Sequence, residues 1–321
     1  MRRWRGLEAT PGELGRTVVT IGMYDGVHRG HQTLIGAAVA RARAMRRPSQ
    51  LLTFDPHPAE VVRPGSHPAI LTSLDRKAEL VAELGVDAMC VLPFTPEFMR
   101  LPPETFTHTV LVEHLHAAHV VVGENFTYGH RAAGNVGTLA SEGRRFGFGV
   151  EGVPLAEDSS DDGEVTISST YIRACVAAGD MVSAARALGR PHRVDGVVVR
   201  GDRRGRELGY PTANVETPPY TAIPADGVYA GHLVMRNASG ASGRRFPSAI
   251  SVGTNPTFQG SRRTVEAFLL DWEGDLYGDH VGVEFLSRLR PMLAFSGVDD
   301  LVEAMARDVA ETRRLVSDGD G

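Results

Sequence analysis

Two hydrophobic rhythms divide this chain. Up to about residue 153, short runs of consecutive apolar, often β-branched residues alternate with stretches whose apolar positions recur every three or four residues. The first pattern is that of strands buried on both faces, the second that of amphipathic helices. Runs 17–21, 50–54, 88–92 and 119–122 predict strands, and stretches near 32–46, 73–84, 104–116 and 136–146 predict helices. Such alternation predicts a parallel sheet covered on both faces, with ligands at the carboxyl ends of its strands. After two further helical stretches, ending at 178 and covering 181–188, the rhythm changes near Gly189-Arg190-Pro191-His192. Six β-rich pieces follow, over 194–199, 212–215, 227–235, 247–252, 264–271 and 280–285, with Gly- and Pro-rich turns between them. They predict a small antiparallel barrel. An amphipathic stretch over 298–316, with Leu301, Met305 and Val309 on one side, predicts a C-terminal packing helix. The expected architecture is an α/β, Rossmann-like parallel-sheet domain over residues 1–189 followed by a β-barrel domain over 190–321.

A chain of 321 residues is long enough for two such cores. With 42% hydrophobic and 23% charged residues, disordered and fibrous classes drop out. The net charge of -5, with no clustered basic face, argues against nucleic acid as the main partner. No window approaches a membrane span, and the basic N-terminus has no apolar core behind it, so it is not read as a signal peptide. Cys90 and Cys175, with no Cys-x-x-Cys, fit a reduced cytoplasmic protein. Lys77 is the only lysine and follows Leu74-Asp75-Arg76 rather than a glycine-rich loop. Any phosphoryl transfer here therefore works without a Walker A lysine, and Schiff-base chemistry is disfavoured. The oligomeric state is left open.

The chemistry gathers where strands end. The run 17–21 leads through Gly22-Met23-Tyr24-Asp25-Gly26-Val27 into a helix opening near His28-Arg29-Gly30-His31. Strand, glycine-bearing turn and helix, in that order, aim backbone N–H groups and the positive end of the helix dipole above the strand, which favours phosphate. His28 and His31 share a face, and Gly30 lets a ligand approach the backbone. Two surface histidines at a helix start are the bland alternative. Asn125, after the fourth strand, either presents its amide to a ring edge or forms a turn. Ser168, Ser169 and Thr170 precede a helix carrying Arg173, which fits a phosphate-binding corner as well as simple capping.

At the head of the barrel, Gly201, Gly205 and Gly209 allow close backbone approach beside Arg203, Arg204 and Arg206. Thr212 and Asn214 lie on one side of an extended segment, a hydroxyl and an amide oxygen suited to Mg²⁺. Glu266, in an apolar run, is either a solvent-facing strand residue or a base for an attacking hydroxyl. The Gly-x-Gly-x-x-Gly match at 147–152 opens no helix and reads as coincidence. His57 between prolines reads as structural, and His114, His116 and His119 lack the partners of a metal site. Residues 157–164 read as an acidic, solvated loop.

His-x-Gly-His after a strand resembles the signature of the nucleotidyltransferase superfamily. In chain order, Gly-Met-Tyr-Asp-Gly-Val-His-Arg-Gly-His (22–31), Asp-Pro-His-Pro (55–58), Gly-Glu-Asn-Phe-Thr-Tyr-Gly (123–129), Ser-Ser-Thr-Tyr-Ile-Arg (168–173), Gly-Tyr-Pro-Thr-Ala-Asn (209–214) and Val-Glu-Ala-Phe-Leu-Leu-Asp (265–271) resemble the bacterial bifunctional riboflavin kinase/FAD synthetase family. The resemblance implies that riboflavin is phosphorylated by ATP to FMN, and that FMN is then adenylylated to FAD with release of pyrophosphate. It implies Thr212 and Asn214 on Mg²⁺, Gly201 and Gly205 at the same ATP, and Glu266 as the base. For adenylyl transfer it implies His28 and His31 on phosphates, Gly22, Asp25, Gly30, Ser169, Thr170 and Arg173 around ATP, and Asn125 near the flavin. Tyr24 stands where many relatives carry Phe, which should add only a hydroxyl, and the role of Arg290 stays open. Two rivals remain: an adenylyltransferase whose barrel merely holds flavin, and a non-catalytic flavin-binding regulator. Both leave the joint presence of Thr212, Asn214 and Glu266 unexplained.

Overall fold

The first rhythm builds a six-stranded sheet in which every pairing is parallel. The computed structural model describes residues 1–65, 67–154, 157–160, 163–201, 210–236, 242–257 and 260–319. Its strands are β1 (Arg2–Arg5), β2 (Thr17–Ile21), β3 (Ser49–Phe54), β4 (Ala88–Leu92) and β5 (Ala117–Gly123). A short ribbon of β6 (Thr127–Tyr128) and β7 (Gly134–Asn135) follows, and then β8 (Gly149–Val153) rejoins the sheet. The spatial order is β1-β4-β3-β2-β5-β8. From β2 the chain winds one way through β3 and β4, then returns to place β5 on the other side of β2. The carboxyl ends of β2 and β5 thus flank the point where the winding reverses, where open parallel sheets bind ligands.

Burial explains the strands. Every residue of β2 is buried, Val19 and Ile21 in one core and Val18 in another against Ala38 and Ala42 of α1 (Arg29–Met45). Two strands escape the hydrophobic pattern. In β1 only Trp4 is buried, and the flanking arginines belong to an edge; in β8 glycines and Glu151 dilute the apolar run. Two short helices, α2 (Pro58–Val62) and α4 (Pro96–Met99), are absent from the periodicity; they lie in the chain on either side of α3 (Leu74–Glu83), and α5 (Pro103–Phe106) follows. The helix expected near 104–116 starts as α5 and continues as a π-helical stretch, Thr107–His114, whose widened turn ends with Leu115 N donating to Val110 O. At the start of that stretch the Thr107 hydroxyl and the Tyr128 phenol lie 3.3 Å apart. α6 (Val136–Phe146) ends at Gly147 in a left-handed cap, and the 147–152 glycines then run into β8.

The acidic segment is corrected from loop to hairpin. β9 (Glu157–Ser160) and β10 (Gly163–Thr166) pair antiparallel, because such a pair closes its backbone hydrogen bonds locally whatever its side chains.

The sequence pattern assigns helices α7 (Ser169–Ala178) and α8 (Met181–Leu188) to the first domain, whereas they pack in the second compact unit. That unit comprises Ala69–Ser73 and Ser169–Gly321, and the first comprises Met1–Pro68 and Leu74–Ser168. Strands β11 (His192–Val199), β12 (Thr212–Glu216), β13 (Gly227–Arg236), β14 (Ser242–Thr257), β15 (Gly260–Leu269) and β16 (His280–Arg290) close a barrel in the order β11-β12-β15-β14-β13-β16. Helix α9 (Val298–Gly319) follows. Its Asp308 receives a two-pronged contact from Arg290, Nε to Oδ1 at 3.0 Å and Nη2 to Oδ2 at 2.8 Å.

Candidate active sites

In the first unit the predicted histidine pair is formed. His28 caps α1, its Nδ1 accepting the His31 N–H at 3.3 Å. With Nδ1 occupied as an acceptor, the neutral ring carries its proton on Nε2. The two imidazoles stack with centroids 3.6 Å apart and planes at 20°, and the Tyr24 ring meets His31 edge-on at 5.2 Å. Two imidazolium charges that close repel, so the geometry favours an anion shared by the pair.

The loop before His28 is held in an unusual backbone. Tyr24, Gly26 and Val27 all have positive φ, at 50°, 84° and 42°. For a β-branched valine this is strained, on the order of 1–3 kcal/mol. Successive N–H groups of such a turn form a concavity suited to an anion. The hydroxyl expected merely to be added by Tyr24 bonds the Thr20 hydroxyl at 2.5 Å, stitching loop to strand. Burial pushes that phenol above its ordinary range.

Asp25 is buried, and Gly22 packs against the Tyr24 ring, which a Cβ there would meet at 3.0 Å. Gly30 lies in the first turn of α1. Asn125 is exposed in a turn closed by Phe126 N on Gly123 O at 2.9 Å, so the turn-forming reading holds and leaves its amide open to solvent. His57 caps α2 through Ala59 N at 3.1 Å. Ser169, Thr170 and Arg173 open α7 in the other unit, where Arg173 Nε donates to Ala69 O at 2.6 Å. Among the described residues, no group of three or more His, Cys, Asp or Glu is disposed to hold a metal.

One feature of this unit escaped the sequence reading. Phe54, Phe94, Phe98, Phe106, Tyr128 and Phe126 form an unbroken row of ring contacts with centroids 5.4–6.0 Å apart. Its signal in the sequence is an aromatic residue at or just past the ends of β3, β4 and β5.

In the barrel, antiparallel register sets Asn214 of β12 directly opposite Glu266 of β15, and Thr212 Oγ1 donates to Glu266 Oε2 at 3.3 Å. These three side chains lie where cavities converge. One of about 300 Å³ has Tyr210, Ile250, Phe268, Leu301 and Met305 in its wall together with Thr212 and Glu266. Another of about 500 Å³ has Pro211, Trp272, Asp275 and Tyr277 with Thr212 and Asn214. The apolar side of α9 thus walls a cavity as well as packing. Arg290 lines the same cavity while engaged with Asp308, and its guanidinium lies 5.6 Å from the Phe295 ring centroid.

Gly201 abuts the Asn214 amide so closely that a Cβ would collide with it. Gly205 lies outside the described residues, as do all of 202–209.

The family model for FAD synthetase matches residues 10–171, and the one for riboflavin kinase matches residues 188–316. A bifunctional riboflavin kinase/FMN adenylyltransferase of Listeria monocytogenes is 36% identical over 92% of this chain and 91% of its own. The Escherichia coli relative of the same description is 34% identical over 93% and 92%. The chain belongs to this bifunctional family. As a bifunctional riboflavin kinase/FMN adenylyltransferase it makes FMN from riboflavin and ATP, and FAD from FMN and a second ATP. Both rival readings, which denied it one or both activities, fall. A solved Streptococcus pneumoniae structure described as a macrolide-efflux protein shares the fold, at 30% identity and a TM-score of 0.85 over 98% of this chain and 99% of that one. Among the described residues no helix is long and apolar enough to cross a membrane.

Proposed function

We propose that the two reactions run at the two sites just described, adenylyl transfer within residues 1–189 and phosphorylation within 190–321; the family matches at 10–171 and 188–316 support the division. The carrying observation is the meeting of Thr212, Asn214 and Glu266 in the walls of neighbouring cavities. The cavity with the more apolar wall takes the isoalloxazine ring and brings the riboflavin 5′-hydroxyl to Glu266. The larger one takes ATP. The hydroxyl oxygen attacks the γ-phosphorus, its proton passes to Glu266, and ADP leaves.

The residues present fit a magnesium ion: a threonine hydroxyl within hydrogen-bond reach of a carboxylate, and an amide oxygen on the residue opposite that carboxylate in the sheet, are hard oxygen donors. Thr212 and Asn214 would hold it, and when bound it offsets charge on the ATP phosphates.

In adenylyl transfer, an FMN phosphate oxygen attacks the α-phosphorus of ATP and pyrophosphate leaves. His28 and His31 donate to the phosphate oxygens as charge moves onto the leaving group. Gly22 and Gly30 keep the loop open to ATP, and the buried Asp25 holds its shape. The aromatic row supports a flat flavin ring beside Asn125. The assignment of Ser169, Thr170 and Arg173 to ATP rests on their motif alone. The buried thiols Cys90 and Cys175 fit a cytoplasmic enzyme.

Removing divalent cations should test the kinase half. Excess EDTA is expected to stop FMN formation and added Mg²⁺ to restore it, with flavins separated by chromatography. Asn214→Ala should raise the Mg²⁺ needed for half-maximal rate by about 10-fold or more, the loss expected of one polar ligand. An unchanged Mg²⁺ requirement would remove Asn214 from the metal.

A further inference from the structure

Lys77 stands on α3, far in sequence from either nucleotide motif, and its side chain is buried. Its ammonium donates to Met23 O at 2.7 Å, and the buried Thr53 hydroxyl donates to the same carbonyl at 3.1 Å. A peptide's carbonyl and the following N–H point in opposite directions. Two donors on Met23 O therefore fix the direction of the Tyr24 N–H at the start of the left-handed turn. At the far end of the turn, Gln32 Nε2 donates to Val27 O at 2.9 Å. Strained backbone persists only where its surroundings over-determine it, and these three donors do so from three elements, α3, β3 and α1.

The choice of an ammonium also needs a reason, since burying one is unfavourable and lowers its affinity for a proton. Asp25 and Asp55 oppose that effect electrostatically. The pair of carboxylates that opposes the loss of that proton thus includes a residue of the loop itself.

We propose that Lys77 is a positioning residue for adenylyl transfer, clamping the Met23 carbonyl so that the strained Tyr24–Val27 loop presents its N–H groups and His28 to the phosphates of ATP. The proposal rests on the reading that FMN is adenylylated at the His28 loop. The only lysine of this enzyme then serves nucleotide transfer without touching nucleotide, in contrast to the direct phosphate contact of a Walker A lysine.

The test uses the full-length protein with Lys77→Met, Thr53→Val and the double variant, assayed for both activities and for melting temperature. Lys77→Met is expected to lower kcat for adenylylation by about 10- to 100-fold, as displaced reacting groups do. Riboflavin phosphorylation should be unchanged; because the substitution removes a positive charge beside the buried Asp25, the melting temperature is read alongside, so that a loss of fold is told apart from a loss of kcat. Thr53→Val should give a smaller loss of the same kind. Because both act on one carbonyl, the double variant should lose less than the product of the two.

Adenylylation within twofold of wild type in Lys77→Met would overturn the clamp, as would losses that simply multiply. Should Lys77→Met not fold, Thr53→Val decides: a kcat loss confined to adenylylation supports the clamp, and no loss overturns it. His28→Ala run alongside separates the two claims. If it retains full adenylylation, the site assignment fails and the clamp with it; if it is inactive while Lys77→Met is normal, only the clamp fails.

Discussion

Glu266→Gln is expected to lower riboflavin phosphorylation by about 10²- to 10⁴-fold, the usual contribution of a positioned general base. FMN supplied from outside should still become FAD. The amide keeps the shape of the carboxylate and its place opposite Asn214 on β15, so folding should be unaffected. What is lost is the carboxylate charge proposed to take the proton of the 5′-hydroxyl, on the group whose Oε2 accepts the Thr212 hydroxyl at 3.3 Å. Thr212 can still donate to the amide oxygen, so the loss should sit in kcat rather than in KM for ATP. Chromatographic separation of riboflavin, FMN and FAD over time checks it. Substantial FMN formation by Glu266→Gln, with circular dichroism unchanged, would mean that another group is the base.

His28→Ala should do the reverse, lowering adenylylation by about 10²- to 10³-fold while phosphorylation proceeds, so that FMN accumulates. Two losses combine in this variant. The imidazole proposed to meet phosphate is gone, and so is its stacking on His31 at 3.6 Å. The cap of α1 also disappears, because His28 Nδ1 accepts the His31 N–H. Cap removal lowers stability by about 1 kcal/mol. A cap effect alone would appear as a lower melting temperature with kcat intact. To separate them, His28→Asn retains a capping oxygen without the ring: it should recover the melting temperature but not the activity. Recovery of both would reduce His28 to a structural cap.

The strand, turn and helix around His28, the barrel after residue 192 and the apolar side of α9 are legible in the chain because each is written in neighbouring residues. A run of β-branched residues, a glycine-bearing turn and a recurrence every three or four positions act over a few residues and need no partner to be recognised. By the same logic β1 and the β9–β10 hairpin are not legible: arginines and acidic residues carry no apolar alternation, and only a neighbouring strand makes them strands. Packing likewise decided that α7 and α8 belong with the barrel.

By itself the sequence determined which chemical groups are present and the local element that carries each: two imidazoles at a helix start, a hydroxyl and an amide on one strand face, a carboxylate on another strand. Tertiary structure alone decided which of them meet. Register placed Asn214 opposite Glu266, and the return of the chain to β5 set a second loop beside the histidines. It also brought Lys77 beneath a carbonyl 54 residues away. Local propensity acts through bonds to near neighbours, whereas these meetings depend on closing long loops, which only the burial of both cores compensates.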